Sequence, residues 1–229
     1  MLIKGLQKTT LLDFPQKVAC TVFTGGCNFR CPFCHNASLV KLVDDERIDE
    51  SEFFSFLNKR INILDGVCIT GGEPLLQKDI FSFVQKIKNL GYAVKIDTNG
   101  AYPNELEELI NAGIIDYVAM DIKNSKNKYS DTCGISVDLG NIERSIDILA
   151  SSDIEYEFRT TVVRELHSKD DIVEIAKWIS DAPRYFLQSF KDSGDILSCG
   201  LSSYSDDEMK EISTLARAFN PNTQLRGIS

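Results

Sequence analysis

The chain has 229 residues, of which 43% are hydrophobic and 26% are charged, a composition that excludes a disordered, collagen-like or low-complexity protein. Its net charge of −9 repels phosphate groups, so we expect neither a nucleic-acid partner nor a membrane-surface partner. No apolar run is long enough to span a membrane and the N-terminus lacks a signal-peptide core, which predicts a cytoplasmic protein.

Six segments rich in apolar and β-branched residues predict β-strands along the chain. They lie at residues 18–24, 66–70, 92–97, 116–122, 154–163 and 184–190. Several of them read as continuous apolar runs, which is typical of strands buried on both faces of a parallel sheet.

Apolar residues at helical spacing alternate with the predicted strands. These stripes lie at residues 80–87, 106–110, 142–149, 172–179 and 209–219. Strand–helix units of this kind form parallel sheets with right-handed crossovers, so the pattern predicts an α/β fold. Periodicity alone leaves a partial (βα)6 TIM-like barrel and a doubly wound open sheet as alternatives. Since no linker or shift in composition interrupts the chain, we predict one domain over residues 1–229.

One long segment shows neither pattern. Residues 124–137 lie between the fourth predicted strand and the helix that follows it. A loop of this length at the carboxyl edge of a parallel sheet is either a lid or contact loop at the functional site or a disordered part of the surface.

Seven cysteines are present, and three of them crowd into eight residues directly after the first predicted strand. Cys27, Cys31 and Cys34 can hold three irons of a cubane iron–sulfur cluster, and no fourth cysteine lies nearby in the sequence. A cluster with three protein ligands keeps one iron open for an exchangeable molecule. The alternatives are a zinc site completed by His35 and unliganded thiols. The other cysteines are interpreted as packing residues: Cys20, Cys68, Cys133 and Cys199.

The spacing Cys-x3-Cys-x2-Cys, with Phe33 before the last cysteine, resembles the signature of the radical S-adenosylmethionine (SAM) superfamily. The second predicted strand ends in Gly-Gly-Glu-Pro at residues 71–74, where that superfamily has the same motif. Three further segments resemble the activases of glycyl-radical enzymes, namely Cys34-His35-Asn36, Asp97-Thr98-Asn99-Gly100 and Asp121-Ile122-Lys123. The opening GLQKTTLLDFP and the following VFTGGCNFRCPFCHNASLV are most similar to the activating proteins of anaerobic (class III) ribonucleoside-triphosphate reductases.

The resemblance implies a partial TIM-like barrel and a role for each motif residue. Cys27, Cys31 and Cys34 would ligate a [4Fe-4S] cluster and so be catalytic, with SAM on the open iron. Phe33 would pack on the adenine side of SAM. The methionine ammonium group would bind the backbone of Gly71, Gly72 and Glu73, since glycine lets a backbone approach a ligand closely.

The resemblance also implies roles for charged residues at the ends of the later strands. Asp97, Thr98 and Asp121 would bind a monovalent cation, Na⁺ or K⁺, beside the SAM carboxylate, because hard oxygen ligands suit such an ion. Thr98 and Asp121 are candidates for SAM binding as well. Lys123 and Arg159 would meet the SAM carboxylate or the substrate peptide; the alternative is that both are strand-end charges that reach solvent.

One segment near the end of the sixth predicted strand differs from the pyruvate formate-lyase activase, and one histidine has no expected role in the site. Gln188 or Phe190 would contact adenosine where an activase has a histidine near the end of the sixth strand. His167 follows the fifth predicted strand and is expected in a surface loop.

The implied function is reductive cleavage of SAM by the cluster to a 5′-deoxyadenosyl radical, which would generate a glycyl radical on a partner enzyme. The expected partner is anaerobic ribonucleoside-triphosphate reductase, and the expected electron donor is a flavodoxin or a ferredoxin. Two alternatives stay within the superfamily: activation of another glycyl-radical enzyme, and chemistry on a small molecule. A third is a non-catalytic iron–sulfur or zinc module for redox sensing or assembly, which would leave the motifs at successive strand ends without a purpose.

Overall fold

The computed structural model describes residues 1–42, 46–192 and 194–228. Within these ranges eight strands form one sheet, in the order in which they occur along the chain. They are β1 (Ile3–Thr10), β2 (Ala19–Thr24), β3 (Gly66–Gly71), β4 (Ala93–Thr98), β5 (Tyr117–Asp121), β6 (Glu155–Val162), β7 (Tyr185–Ser189) and β8 (Thr223–Arg226). The first pair is antiparallel, and every later pair of neighbours is parallel.

The helices connect the parallel strands. They are α1 (Ala37–Lys41), α2 (Glu50–Asn58), α3 (Ile80–Asn89), α4 (Pro103–Asn111), α5 (Tyr129–Cys133), α6 (Leu139–Ser151), α7 (Lys169–Trp178) and α8 (Asp206–Arg217). All five predicted stripes lie on helices or at their ends, and most of their apolar residues are buried, as Phe83 and Ile87 of α3 illustrate. In the last stripe Leu215 and Phe219 are exposed. Each stripe packs toward the sheet because that face removes the most apolar area from water.

The strand order decides between the two predicted architectures. A doubly wound sheet reverses its strand order at a switch point, whereas a TIM-like barrel adds each new strand beside the preceding one. The sequential order from β1 to β8 therefore confirms the partial TIM-like barrel. All six predicted strands are present, as β2 to β7.

The sequence prediction missed both edge strands. The first, β1, reads IKGLQKTT, and its centre is half-buried or exposed. The last, β8, is only four residues long and largely polar. An edge strand has one face and one flank outside the core, so it lacks the apolar run by which a central strand is recognised.

The segment at residues 124–137 is a contact segment and not a disordered part of the surface, since its Cys133 carbonyl accepts from the Arg30 N–H, within the loop of the three clustered cysteines, at 2.8 Å. It forms a short 3-10 turn at Lys126–Lys128 and then α5, in which Tyr129 and Cys133 are fully buried. The amide of buried Asn124 donates to Thr132 Oγ1 at 2.8 Å and to the carbonyl of Leu166 at 3.0 Å. The helix was missed because it is five residues long and its three buried side chains are diluted by polar neighbours.

No helix among the described residues combines the length and the apolar character needed to cross a membrane.

Candidate active site

A cavity of about 1000 Å³, including its open mouth, lies among the carboxyl ends of the parallel strands. This is the edge of a barrel at which strand-end residues from distant parts of the chain converge. Of the two candidates for the adenosine contact, Gln188 lines this cavity and Phe190 does not. Twelve other residues predicted for the site line it as well: Cys27, Cys31, Phe33, Cys34, Gly71, Gly72, Glu73, Asp97, Thr98, Asp121, Lys123 and Arg159. The structure thus brings them together, and what each of them binds stays a prediction.

The three clustered cysteines lie in the loop that follows β2, residues 25–36, which is called the cluster loop below. The backbone N–H of Cys34 donates to the Cys31 carbonyl at 3.0 Å, which folds the loop into a turn. Cys27 Sγ accepts from the Phe29 N–H at 3.4 Å and from the Asn99 side-chain amide at 3.8 Å. Asn99 was not predicted as a site residue, although it stands within the Asp-Thr-Asn-Gly motif; hydrogen bonds to a cysteine sulfur favour its thiolate form.

The electrostatics of these thiols fit a metal cluster. Burial, with a contribution from Glu73, raises the pKa of Cys27 to about 12, and burial also raises the pKa of Cys34. The positive charge of Lys123 opposes both shifts. A thiol with a raised pKa stays protonated on its own and becomes a thiolate only when a metal binds it, so metal binding by Cys27 and Cys34 would release protons.

A single metal ion fits the same residues less well. Within the described ranges, no three or more His, Cys, Asp and Glu side chains are grouped closely enough to hold one ion. The proposed fourth zinc ligand, His35, instead stacks on Phe190 with ring centroids 5.5 Å apart. A cubane spaces its thiolate ligands farther apart than one ion does, so the arrangement favours the cluster over zinc.

A fourth cysteine lies against the cluster loop from behind. Cys133 on α5 is fully buried, and its thiol donates a hydrogen bond to Cys31, which holds the pKa of Cys31 below its usual value. The Cys133 carbonyl also accepts from the Arg30 N–H at 2.8 Å. Cys133 does not line the cavity, so it supports a ligand and does not occupy the fourth position. Cys133 is a packing residue of the core, as interpreted, and in addition contacts Cys31, whereas the interpretation of Cys199 as a packing residue was wrong, since Cys199 is exposed.

The Gly-Gly-Glu-Pro motif packs directly on the cluster loop. A Cβ added to Gly72 would lie 1.9 Å from the Gly26 carbonyl oxygen, and one added to Gly71 would lie 2.4 Å from the Thr24 backbone nitrogen. The two backbones are joined by hydrogen bonds from Gly72 N–H to the Thr24 carbonyl at 2.9 Å and from Glu73 N–H to the Gly26 carbonyl at 2.8 Å. Close packing against the backbone that leads into Cys27 is thus one reason for glycine at both positions, and the expected binding of a ligand by this backbone stays a prediction.

Glu73 is buried and ties two strand ends together. Its carboxylate accepts from Thr98 Oγ1 at 2.8 Å, from the Asn99 N–H at 2.7 Å and from the Leu75 N–H at 3.0 Å. Burial raises the pKa of Glu73 to about 7 in spite of these donors. The side chain therefore has a structural role beneath the motif, and only its backbone is available to a ligand.

Five charged side chains form a network across the cavity floor. Arg159 donates to Asp121 at 2.9 Å and to Asp97 at 3.0 Å, and Lys123 donates to Asp121 at 2.9 Å. Lys95, which is buried on β4 and was not predicted, forms an ion pair with Asp97. Burial alone would raise the pKa of Asp121, but Arg159 and Lys123 lower it to about 2.

This network bears on two sequence expectations. Lys123 and Arg159 do not reach out from the strand ends into solvent, because both turn into the cavity and pair there. The monovalent-cation site expected at Asp97, Thr98 and Asp121 stays a prediction, although all three side chains have partners within the protein. Protein cations already occupy both carboxylates, and the Thr98 hydroxyl donates to Glu73.

His167 is buried below the cavity and is not a surface residue as predicted. Its Nδ1 accepts from the Val163 N–H at 3.1 Å, so Nε2 carries the proton and donates to the Lys123 carbonyl at 2.8 Å. Its ring meets that of Phe33 edge-on, with centroids 6.3 Å apart. His167 thereby positions both the backbone of Lys123 and the aromatic wall of the cavity.

Comparison with known proteins identifies one family. A family model described as the radical SAM superfamily matches residues 21–179. A proposed glycyl-radical enzyme activating enzyme of Methanocaldococcus jannaschii is 33% identical over 235 aligned residues, which cover 100% of this chain and 97% of that protein.

Solved structures give the same fold. A domain of pyruvate-formate lyase-activating enzyme from Bacteroides vulgatus aligns with a TM-score of 0.54 and 17% identity, covering 71% of this chain and 99% of that one. Streptococcus suis SuiB bound to S-adenosylmethionine aligns with a TM-score of 0.72 and 14% identity, covering 88% of this chain and 48% of that one. At these identities the two structures support the fold and nothing finer.

Proposed function

This chain belongs to the radical SAM superfamily, and on that premise we propose that it activates a glycyl-radical enzyme. The observation that carries the proposal is the similarity to an activating enzyme along the entire chain. The convergence of thirteen predicted site residues on one cavity supports it.

Membership of the superfamily implies a [4Fe-4S] cluster and SAM, and the residues present fit both. Cys27, Cys31 and Cys34 would hold the cluster, with their thiolates favoured by Lys123. When bound, the two groups supply a one-electron reduction that breaks a carbon–sulfur bond of SAM and yields the radical that takes a hydrogen atom from a glycine.

The remaining residues bind and orient. Lys123 and Arg159 face the cavity, so their charges suit the carboxylate of the methionine moiety. Backbone carbonyls of Gly71 and Gly72 suit its ammonium group, and the Gly71 carbonyl is itself oriented by the Asn36 amide at 3.2 Å. The central step needs no proton transfer from the chain, which agrees with the two histidines being engaged elsewhere.

The proposed partner is an anaerobic ribonucleoside-triphosphate reductase, with a flavodoxin or ferredoxin as electron donor. Its support is the opening segment, whose sequence is most similar to the activating proteins of that reductase. We propose further that residues 1–229 act as one domain, since the single sheet spans residues 3–226.

The proposal is tested by anaerobic reconstitution with iron and sulfide, followed by addition of dithionite and SAM. We expect 5′-deoxyadenosine as a product, and a glycyl radical signal in electron paramagnetic resonance once a class III reductase is added. Cys31→Ala should abolish both and leave the far-ultraviolet circular dichroism unchanged, whereas Cys199→Ala, at an exposed cysteine, should retain both. Stoichiometric zinc in place of iron, or product formation by Cys31→Ala, would overturn the assignment.

A radical signal only in a different glycyl-radical enzyme would keep the activase and refute the reductase as partner. Formation of 5′-deoxyadenosine without a radical in any such enzyme would instead favour a small-molecule substrate.

A further inference from the structure

We infer that Lys95 supplies, from within the chain, the positive charge that a monovalent cation was expected to bring to the cavity floor. The chain then binds the ligand of this cavity without Na⁺ or K⁺. The inference rests on the proposed function only for the identity of that ligand.

Strand geometry places the charges together. Lys95 and Asp97 are two residues apart on β4, so their side chains lie on the same face of the sheet. Asp121 at the end of β5 is the direct partner of Arg159 on β6. The four side chains therefore meet inside the barrel, and Lys123 joins them from the residues after β5.

Every carboxylate oxygen in this network already has a cationic partner. Asp97 Oδ1 pairs with Lys95 Nζ, and Asp97 Oδ2 accepts from Arg159 at 3.0 Å. Asp121 Oδ1 accepts from Arg159 at 2.9 Å, and Asp121 Oδ2 accepts from Lys123 at 2.9 Å. Among the described residues, none of these side chains leaves a buried polar atom without a hydrogen bond. A carboxylate oxygen has two acceptor positions, and at Asp97 both are used, because Cys68 Sγ also approaches Oδ1 at 3.8 Å and Thr70 Oγ1 also donates to Oδ2 at 3.3 Å. A metal ion would therefore have to displace a protein donor to bind Asp97.

Lys95 is the cation that is hardest to displace. Its side chain is 3% exposed, it does not line the cavity, and its ammonium group also contacts Cys68 Sγ at 3.6 Å. An ammonium group tethered to a buried strand cannot leave for solvent, whereas a bound free ion exchanges with ions in solution. Removing one partner of such a buried pair leaves an uncompensated charge, which is strongly unfavourable.

The charge balance fits a ligand with one carboxylate. Three cations face two carboxylates, so the network has one positive charge in excess on the wall that Lys123 and Arg159 present to the cavity. Without Lys95 the network would be neutral, and Asp97 Oδ1 would be open to an ion.

The test compares the wild type with Lys95→Met in potassium, sodium and choline chloride at equal ionic strength. The full chain, purified anaerobically, is followed by its melting temperature and, after reconstitution, by the dissociation constant of SAM. For the wild type we expect the same values in all three salts. For Lys95→Met we expect a melting temperature roughly 5–15 °C lower in choline, partly restored by potassium or sodium, and SAM binding that depends on the same ions.

A second variant keeps the test informative if Lys95→Met does not fold. In Lys95→Met/Asp97→Asn both charges of the pair are absent, so we expect a folded protein that responds to none of the three salts. Stabilisation of the wild type by potassium or sodium would overturn the inference, and so would a folded Lys95→Met variant that is indifferent to salt. The melting experiment uses neither cluster nor SAM, so its outcome is independent of whether the proposed function is correct.

Discussion

The contact between Gly72 and Gly26 makes a sharp prediction for Gly72→Ala. The new Cβ would stand 1.9 Å from the Gly26 carbonyl oxygen, and contacts of a Cβ below 3.0 Å are essentially never found. One of the two backbones must therefore move by about 1 Å, because neither is the end of a flexible side chain. The residue after Gly26 is Cys27, so the movement is transmitted to a cluster ligand.

The magnitude follows from two contributions. Overpacking of a well-packed site costs about 1–3 kcal/mol. Weakening the two backbone hydrogen bonds that join the motif to the loop costs about 0.5–1.5 kcal/mol for each bond lost. For a chain of this size the sum lowers the melting temperature by roughly 5–15 °C.

The assay measures melting temperature, iron per chain after anaerobic reconstitution, and the dissociation constant of SAM. In Gly72→Ala we expect a lower melting temperature, less iron per chain and a higher dissociation constant of SAM. The matched control is Gly5→Ala on β1, where the added Cβ meets only Phe23 at an ordinary 3.4 Å, and there we expect a shift within about 2 °C. A Gly72→Ala protein with normal stability and full iron would refute the reasoning that close backbone packing is what requires glycine here.

Three further predictions concern buried partners of the site. Cys133→Ala removes the thiol that donates to Cys31, so the cluster should become harder to reduce. If that hydrogen bond contributes about 1 kcal/mol, the reduction potential should fall by roughly 40 mV in a potentiometric titration, and Cys199→Ala should leave it unchanged. Burial lowers the pKa of His167, so its contribution to the free energy of unfolding should be lost as the pH drops below its ordinary pKa of 6.5; the difference in unfolding free energy between the wild type and His167→Gln, from denaturant titrations, should therefore decrease below that pH. Glu73→Gln puts an amide donor where the carboxylate accepts three hydrogen bonds, so it should lower the free energy of unfolding by about 1–3 kcal/mol, and an unchanged value would contradict the buried hydrogen bonding described for Glu73.

Local sequence determined the strands, most helices and the residues of the site. The six central strands were predictable because a strand buried on both faces needs a run of apolar residues. The cluster loop was predictable because its three cysteines lie within eight residues of one another, so the chain alone keeps their thiols close together. The later motifs were predicted at one edge because parallel strands end on the same side of a sheet.

Tertiary structure alone decided what these residues contact. Strand order separated the barrel from the open sheet, and periodicity has no information on which strands are neighbours. The hydrogen bond between Cys31 and Cys133 joins residues about a hundred positions apart, so no local pattern predicts it. Lys95 lies within an ordinary predicted strand, where nothing in the sequence indicated its ion pair with Asp97. The close contact of Gly72 with Gly26 was not predictable, because a sequence shows that a Cβ is missing and not which atoms take its place. Such contacts depend on how distant segments fold against one another, and that arrangement is set by packing of the whole sheet and not by any local pattern.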